Sequence, residues 1–191
     1  MSGILPVRTG WNPSPGDDDF YPDDLPEDWR LTYFANAFNA IALDTDAWRR
    51  ADAGRVAQWS RDVPASFAFY LHLDPSAEVL ATSAGVQALL GERFGGWLLR
   101  PGQAAAGSLY EPAYLLLDSL PAADSRASAL ACAVPAGLDR DLRAARRWLE
   151  ELASAAQGRP ALALMGRARF EDVRRWQSLV ELLGLGWRSG G

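Results

Sequence analysis

An alternation of apolar runs and amphipathic stretches from Ile4 to Leu73 restricts the fold of this chain more than any other feature. Ile4 to Thr9 is short and apolar, ends at Gly10-Trp11, and reads as a first strand. Residues 12–26 hold four prolines and five aspartates and read as a loop. Asp28 is placed to cap a helix starting near Trp29, with Leu31, Phe34 and Phe38 as its buried stripe and Asn39 as its stop. Ala40 to Asp44 is an uninterrupted apolar run closed by a carboxylate, the pattern of a strand covered on both faces. Asp52 then caps a helix carrying Val56, Trp59 and Val63, ended by Pro64, and Phe67 to Leu73 is a third strand. Strand, helix, strand, helix, strand in this order implies a parallel sheet with right-handed crossovers.

The middle of the chain is less regular. Val79 to Thr82 reads as a short strand, Gly85 to Arg93 as a short helix and Gly96 to Arg100 as a strand. Ala113 to Ser119 and Ser128 to Val134 are further strands. The alternation returns with a helix from Asp139 to Ala156, its stripe Leu142, Ala145, Leu149, Leu152 and Ala156, with Arg147 and Glu151 paired four apart. Ala161 to Met165 is a strand, Phe170 to Leu183 a helix stopped by Gly184, and the last residues, WRSGG, read as a frayed tail. No repeat or low-complexity boundary interrupts residues 1–191, so a single α/β domain is expected.

Composition removes several chemistries. All 19 basic side chains are arginine, which excludes a Schiff-base lysine and a lysine-containing phosphate loop. One cysteine, Cys132, excludes an intramolecular disulfide, and one histidine, His72, excludes paired-histidine zinc sites. A net charge of −5, with arginines interleaved with acids, argues against nucleic acid. No membrane span and no signal peptide are visible, so a cytoplasmic protein is expected.

Several motifs resemble the YecE-like family, a domain of unknown function. Its members run from a strand into Gly-Trp, then FYP, a helix of the form LxYYAxxFNTVEIN, and WxxxxPxxFxFxxK. The matching stretches are Gly10-Trp11, Phe20-Tyr21-Pro22, LTYFANAFNAIALD and WSRDVPASFAFYLH, with AYLLLDSLPA similar to a later LVLADSPG. The resemblance implies a (β/α)8 TIM-barrel-like fold. Such barrels run to about 250 residues, so a compact or incomplete barrel is expected, its helices reduced in the middle of the chain. Family polar positions are mostly altered: Ala42 stands where relatives carry Glu, Asp44 for Asn and His72 for Lys, while Arg100 and Asp118 keep their counterparts.

Parallel barrels place ligands at the carboxyl ends of their strands. Asp44, His72, Arg100 and Asp118 are expected there, His72 as a general base, Asp44 or Asp118 as its orienting acid, and Arg100 as an anion clamp. Tyr21 and Trp11, with Trp48 and Trp97, are candidate pocket walls, whereas Trp29, Trp59, Trp148 and Trp176 are expected to pack on the barrel. The aspartates of residues 17–24 read as a solvated loop, and Cys132 as an inert buried thiol. No metal site or cofactor is expected. A non-catalytic binding or interaction module for a small anionic ligand is the leading expectation, with an oligomer possible through a thinned wall. The alternative is a small hydrolase or isomerase acting on a phosphorylated or carboxylated metabolite.

Overall fold

The computed structural model describes residues 3–17, 19–74, 77–102, 111–120 and 128–187. Seven strands close into one parallel barrel in sequence order: β1 Gly3–Thr9, β2 Ala40–Leu43, β3 Ala68–His72, β4 Phe94–Leu99, β5 Ala113–Leu117, β6 Leu130–Ala133 and β7 Pro160–Leu164. Helices α1 Arg30–Ala37, α2 Thr45–Arg49, α3 Ala53–Asp62 and α4 Ala77–Leu90 serve the first half, and α5 Leu142–Ala156 and α6 Phe170–Leu182 the second. Among the described residues no α-helix lies between β4 and β6. The architecture is therefore TIM-barrel-like with seven described strands rather than eight, and most of the β4–β5 and β5–β6 connections lies outside the described residues.

Period-two alternation sorts the strand side chains into two cores. Outward residues such as Ile41, Phe69, Leu71, Trp97 and Leu99 meet the helices. Inward residues, among them Val7, Ala42, Tyr70, Leu98, Tyr114, Leu116, Leu162 and Leu164, fill the barrel. Two tyrosines in so narrow an interior require small neighbours. Their rings meet edge-to-face at 5.2 Å, and burial raises the pKa of both hydroxyls. A Cβ on Gly95 would lie 2.8 Å from the Tyr70 ring, and one on Gly96 would lie 2.9 Å from that of Tyr114. The Gly-Gly pair thus makes room for the barrel's two largest interior side chains.

Capping follows local chemistry in places and departs from it in others. Asp52 caps α3 as its spacing requires, accepting from Arg55 N at 2.8 Å. Asp28 does not cap α1: a 3-10 turn, Glu27–Trp29, precedes that helix, and Asp28 pairs with Arg55 at 2.9 Å. Asp141 caps α5 by accepting from Arg143 N and Ala144 N, so this helix starts three residues later than expected. Leu142 is consequently exposed, and the four-apart ion pair on α5 is Arg146–Glu150 instead of Arg147–Glu151.

Three further expectations are corrected. Val79–Thr82 is helical, part of α4, because the surrounding Ala, Leu, Glu and Gln favour helix over a four-residue run. Trp29 projects into solvent at 64% exposure, whereas Trp59, Trp148 and Trp176 are buried as expected. The tail does not fray at Trp187: Gly186 bridges Ile4, and Trp187 packs under the barrel interior. Residues 188–191 lie outside the described residues.

Candidate functional site at the barrel mouth

The same alternation that fills the barrel carries four polar side chains to its carboxyl end. Asp44 follows Ala42 by two, His72 follows Tyr70, Arg100 follows Leu98, and Asp118 follows Leu116. Asp44, Thr45, His72, Leu73, Asp74, Leu98, Arg100 and Leu116 line a cavity of about 310 Å³. Its floor is the apolar Leu98 and Leu116, and its rim is charged. The sequence therefore places three of its candidates, Asp44, His72 and Arg100, in one concavity, and Asp118 joins them through Arg100 at 3.3 Å.

The backbone under the rim is tied down. The His72 carbonyl accepts from Thr45 Oγ1 at 2.8 Å and from Trp48 Nε1 at 2.9 Å. Trp48 is fully buried and meets Trp97 edge-on at 5.6 Å, so these two tryptophans brace the rim from outside the barrel and do not line the mouth cavity; Trp48 borders a separate cavity between α2, α3 and α4. Burial lowers the His72 pKa; Asp44 opposes that shift and Arg100 adds to it. The ring is neutral near pH 7 and makes no hydrogen bond among the described residues. Asp44 begins α2 without a side-chain cap bond and is exposed to the mouth. Among the described residues no group of three or more His, Cys, Asp or Glu side chains could hold a metal ion.

Tyr21 and Trp11 do not line this cavity. Tyr21 donates its hydroxyl to the Trp11 carbonyl and packs among Phe20, Tyr33 and Phe170, while Trp11 lies edge-on to Trp59 at 5.4 Å. They belong to a seam between the first and last helices. That seam holds a feature missed in the sequence, a buried ion pair between Arg8 and Asp17 at 3.1 Å. Arg8 Nε donates to Ala168 O at 2.8 Å, Nη2 to Ser14 Oγ at 2.8 Å, and Nη1 to Gly10 O. Its guanidinium lies 4.1 Å from the Phe170 ring centroid. Asp17 accepts from Ser14 N at 2.7 Å and, across the seam, from Phe170 N at 2.8 Å, where it serves as a remote cap of α6. The aspartate loop is thus not wholly solvated. A charged residue inside an apolar strand was the available signal, because a buried Arg needs a buried acid.

The profile of the family described as protein of unknown function DUF72 matches residues 8–77. Two crystal structures from that family share the fold over nearly the whole length. The Thermotoga maritima protein aligns with a TM-score of 0.66 at 11% identity, covering 94% of this chain and 99% of its own. The Enterococcus faecalis protein aligns with a TM-score of 0.63 at 12% identity, covering 98% and 100%. The resemblance to DUF72 is thereby established. YecE-like and DUF72 denote one family, so the motifs in the first part of the chain and the barrel as a whole agree. No curated protein matches the chain. In this DUF72-like barrel Ala42, where the motif resemblance implies an acid, is fully buried beside Tyr70 in the barrel interior.

Proposed function

We propose that this DUF72-like barrel is a binding module that takes a small ligand with an anionic group at its mouth and does not transform it. The observation that carries this reading is the state of His72. It is the one imidazole in the chain, it faces the cavity with Arg100, and no carboxylate hydrogen-bonds to it among the described residues. A general base needs an orienting partner to fix its tautomer and direction, and His72 has only the longer-range field of Asp44. Arg100 supplies the polar anchor and Leu98 and Leu116 the apolar floor, a division of labour common in ligand sites.

One observation favours the alternative hydrolase or isomerase: burial keeps His72 neutral, the form in which it could accept a proton. A cytoplasmic setting belongs to the same proposal; among the described residues no helix is long and apolar enough to cross a membrane. A thermal-shift screen against metabolites and metals, run on the wild type and on Arg100→Ala, tests the reading. Stabilisation by small carboxylates or phosphates that disappears in Arg100→Ala is the expected result. Turnover of any such compound, lost in His72→Gln, would replace it with the enzymatic reading.

A further inference from the structure

The charge balance of the mouth narrows the ligand further than an anion. Asp44 and Asp74 line the cavity together with Arg100, and His72 contributes no positive charge at neutral pH. A ligand that is only anionic meets more negative than positive charge on entry. Arg100 also contacts Asp118 at 3.3 Å on the outer rim. A guanidinium presents five N–H donors, so contacts within the protein do not by themselves prevent it from also bonding a ligand carboxylate. Asp44 is the complementary group: its carboxylate is exposed at the rim, makes no cap bond to α2, and hydrogen-bonds to no described residue. The cavity of about 310 Å³ lies at the small end of ligand sites.

We infer that the mouth takes a small zwitterion, its ammonium group on Asp44 and its carboxylate on Arg100, with a short aliphatic spacer over Leu98 and Leu116. This inference rests on the mouth being a binding site. It adds the cationic end, which the proposed function leaves open.

The chain contains a single histidine, so the ring carbon–hydrogen NMR signals of His72 report occupancy of the mouth without assignment. Three probes of one length separate the cases: 4-aminobutanoate, butanoate and butylammonium, each titrated into the full chain. We expect 4-aminobutanoate to shift the His72 signals and to bind about tenfold more tightly than either single-charge probe, the gain of one added charge-assisted hydrogen bond. Asp44→Asn should reduce 4-aminobutanoate to the affinity of butanoate, and Arg100→Gln should reduce it to that of butylammonium. Both residues are exposed, and backbone amide spectra establish that each variant is folded. Butanoate binding as tightly as 4-aminobutanoate would overturn the zwitterion while leaving the anion site standing. Butylammonium binding as tightly would also overturn it and make the mouth a cation site. No shift of the His72 signals with any probe would overturn the inference, and the metabolite screen would then decide separately whether the mouth binds anything.

Discussion

At the scale of single residues, Arg8 and Asp17 show how a charge can be structural inside an apolar fold. Each is almost wholly buried, and each is satisfied by several partners from β1, the following loop and α6. Removing one side strands the other. Asp17→Ala should therefore cost about 3–5 kcal/mol, read as a lowered urea midpoint, whereas Asp19→Ala, on the exposed side of the same loop, should shift it little. His72 makes the opposite kind of contribution. Its folded pKa lies below the usual value near 6.5, so in acid the unfolded chain takes up a proton that the folded chain resists. The stability associated with the neutral ring is complete above about pH 6.5 and falls as pH drops towards the lowered folded pKa. Denaturation from pH 7.5 to 5.5 should show a steeper loss for wild type than for His72→Gln; equal slopes would contradict the burial assigned to the ring. Cys132 is a third case. Burial pushes its thiol up to about 11, so a thiol reagent should leave it unmodified in the native chain and react once the chain is unfolded.

At the scale of elements, β4 is set by what it must leave room for. Gly95→Ala places a methyl group against the Tyr70 ring and should cost about 1–3 kcal/mol. Tyr70→Leu in the same chain should recover part of that loss, and a double-mutant cycle measures the coupling. The sequence makes such elements visible unevenly. Strands β2, β3 and β7 stand out as apolar runs, and α3 and α6 as 3.6-residue stripes, because their burial is one-sided or complete and composition records it. Helix α4 stands out only in its second half, read as a helix from Gly85; its first half reads as a short strand because an apolar run without a period gives no face to read. Short α2 is also missed: five residues carry too little pattern, although Trp48 within it holds the His72 carbonyl. The mouth residues were legible because strand alternation is a strict rule: a polar residue two beyond an inward apolar one must reach the rim. Tyr21 and Trp11 followed no such rule, being loop aromatics, and only three-dimensional packing assigns them to the seam. Arg8 is legible as a charge inside an apolar strand, but its acid lies in the following loop at no fixed spacing, so the sequence does not name the partner.

At the scale of the whole molecule, the barrel is joined unevenly. β1 aligns with β7 over five residue pairs, Gly3–Pro160 through Val7–Leu164, but with β2 over only two. Arg8 reaches Ala168, Asp17 reaches Phe170, and Ile4 N donates to Leu185 O, so the first twenty residues are held mostly by the last thirty. During synthesis these partners are separated by more than a hundred residues and must wait for one another. A ribosome that has just released β6 presents a β1 with its main hydrogen-bonding edge open and an Arg8 without its carbonyl on the Ala168 side. Contacts so distant in sequence slow folding and leave strand edges exposed meanwhile. Stalled chains ending at residue 157 should accordingly be cut by protease within β1, and chains that expose residues through 187 outside the tunnel should resist. For this barrel, birth is vulnerable until the β7–α6 segment has emerged to close over β1.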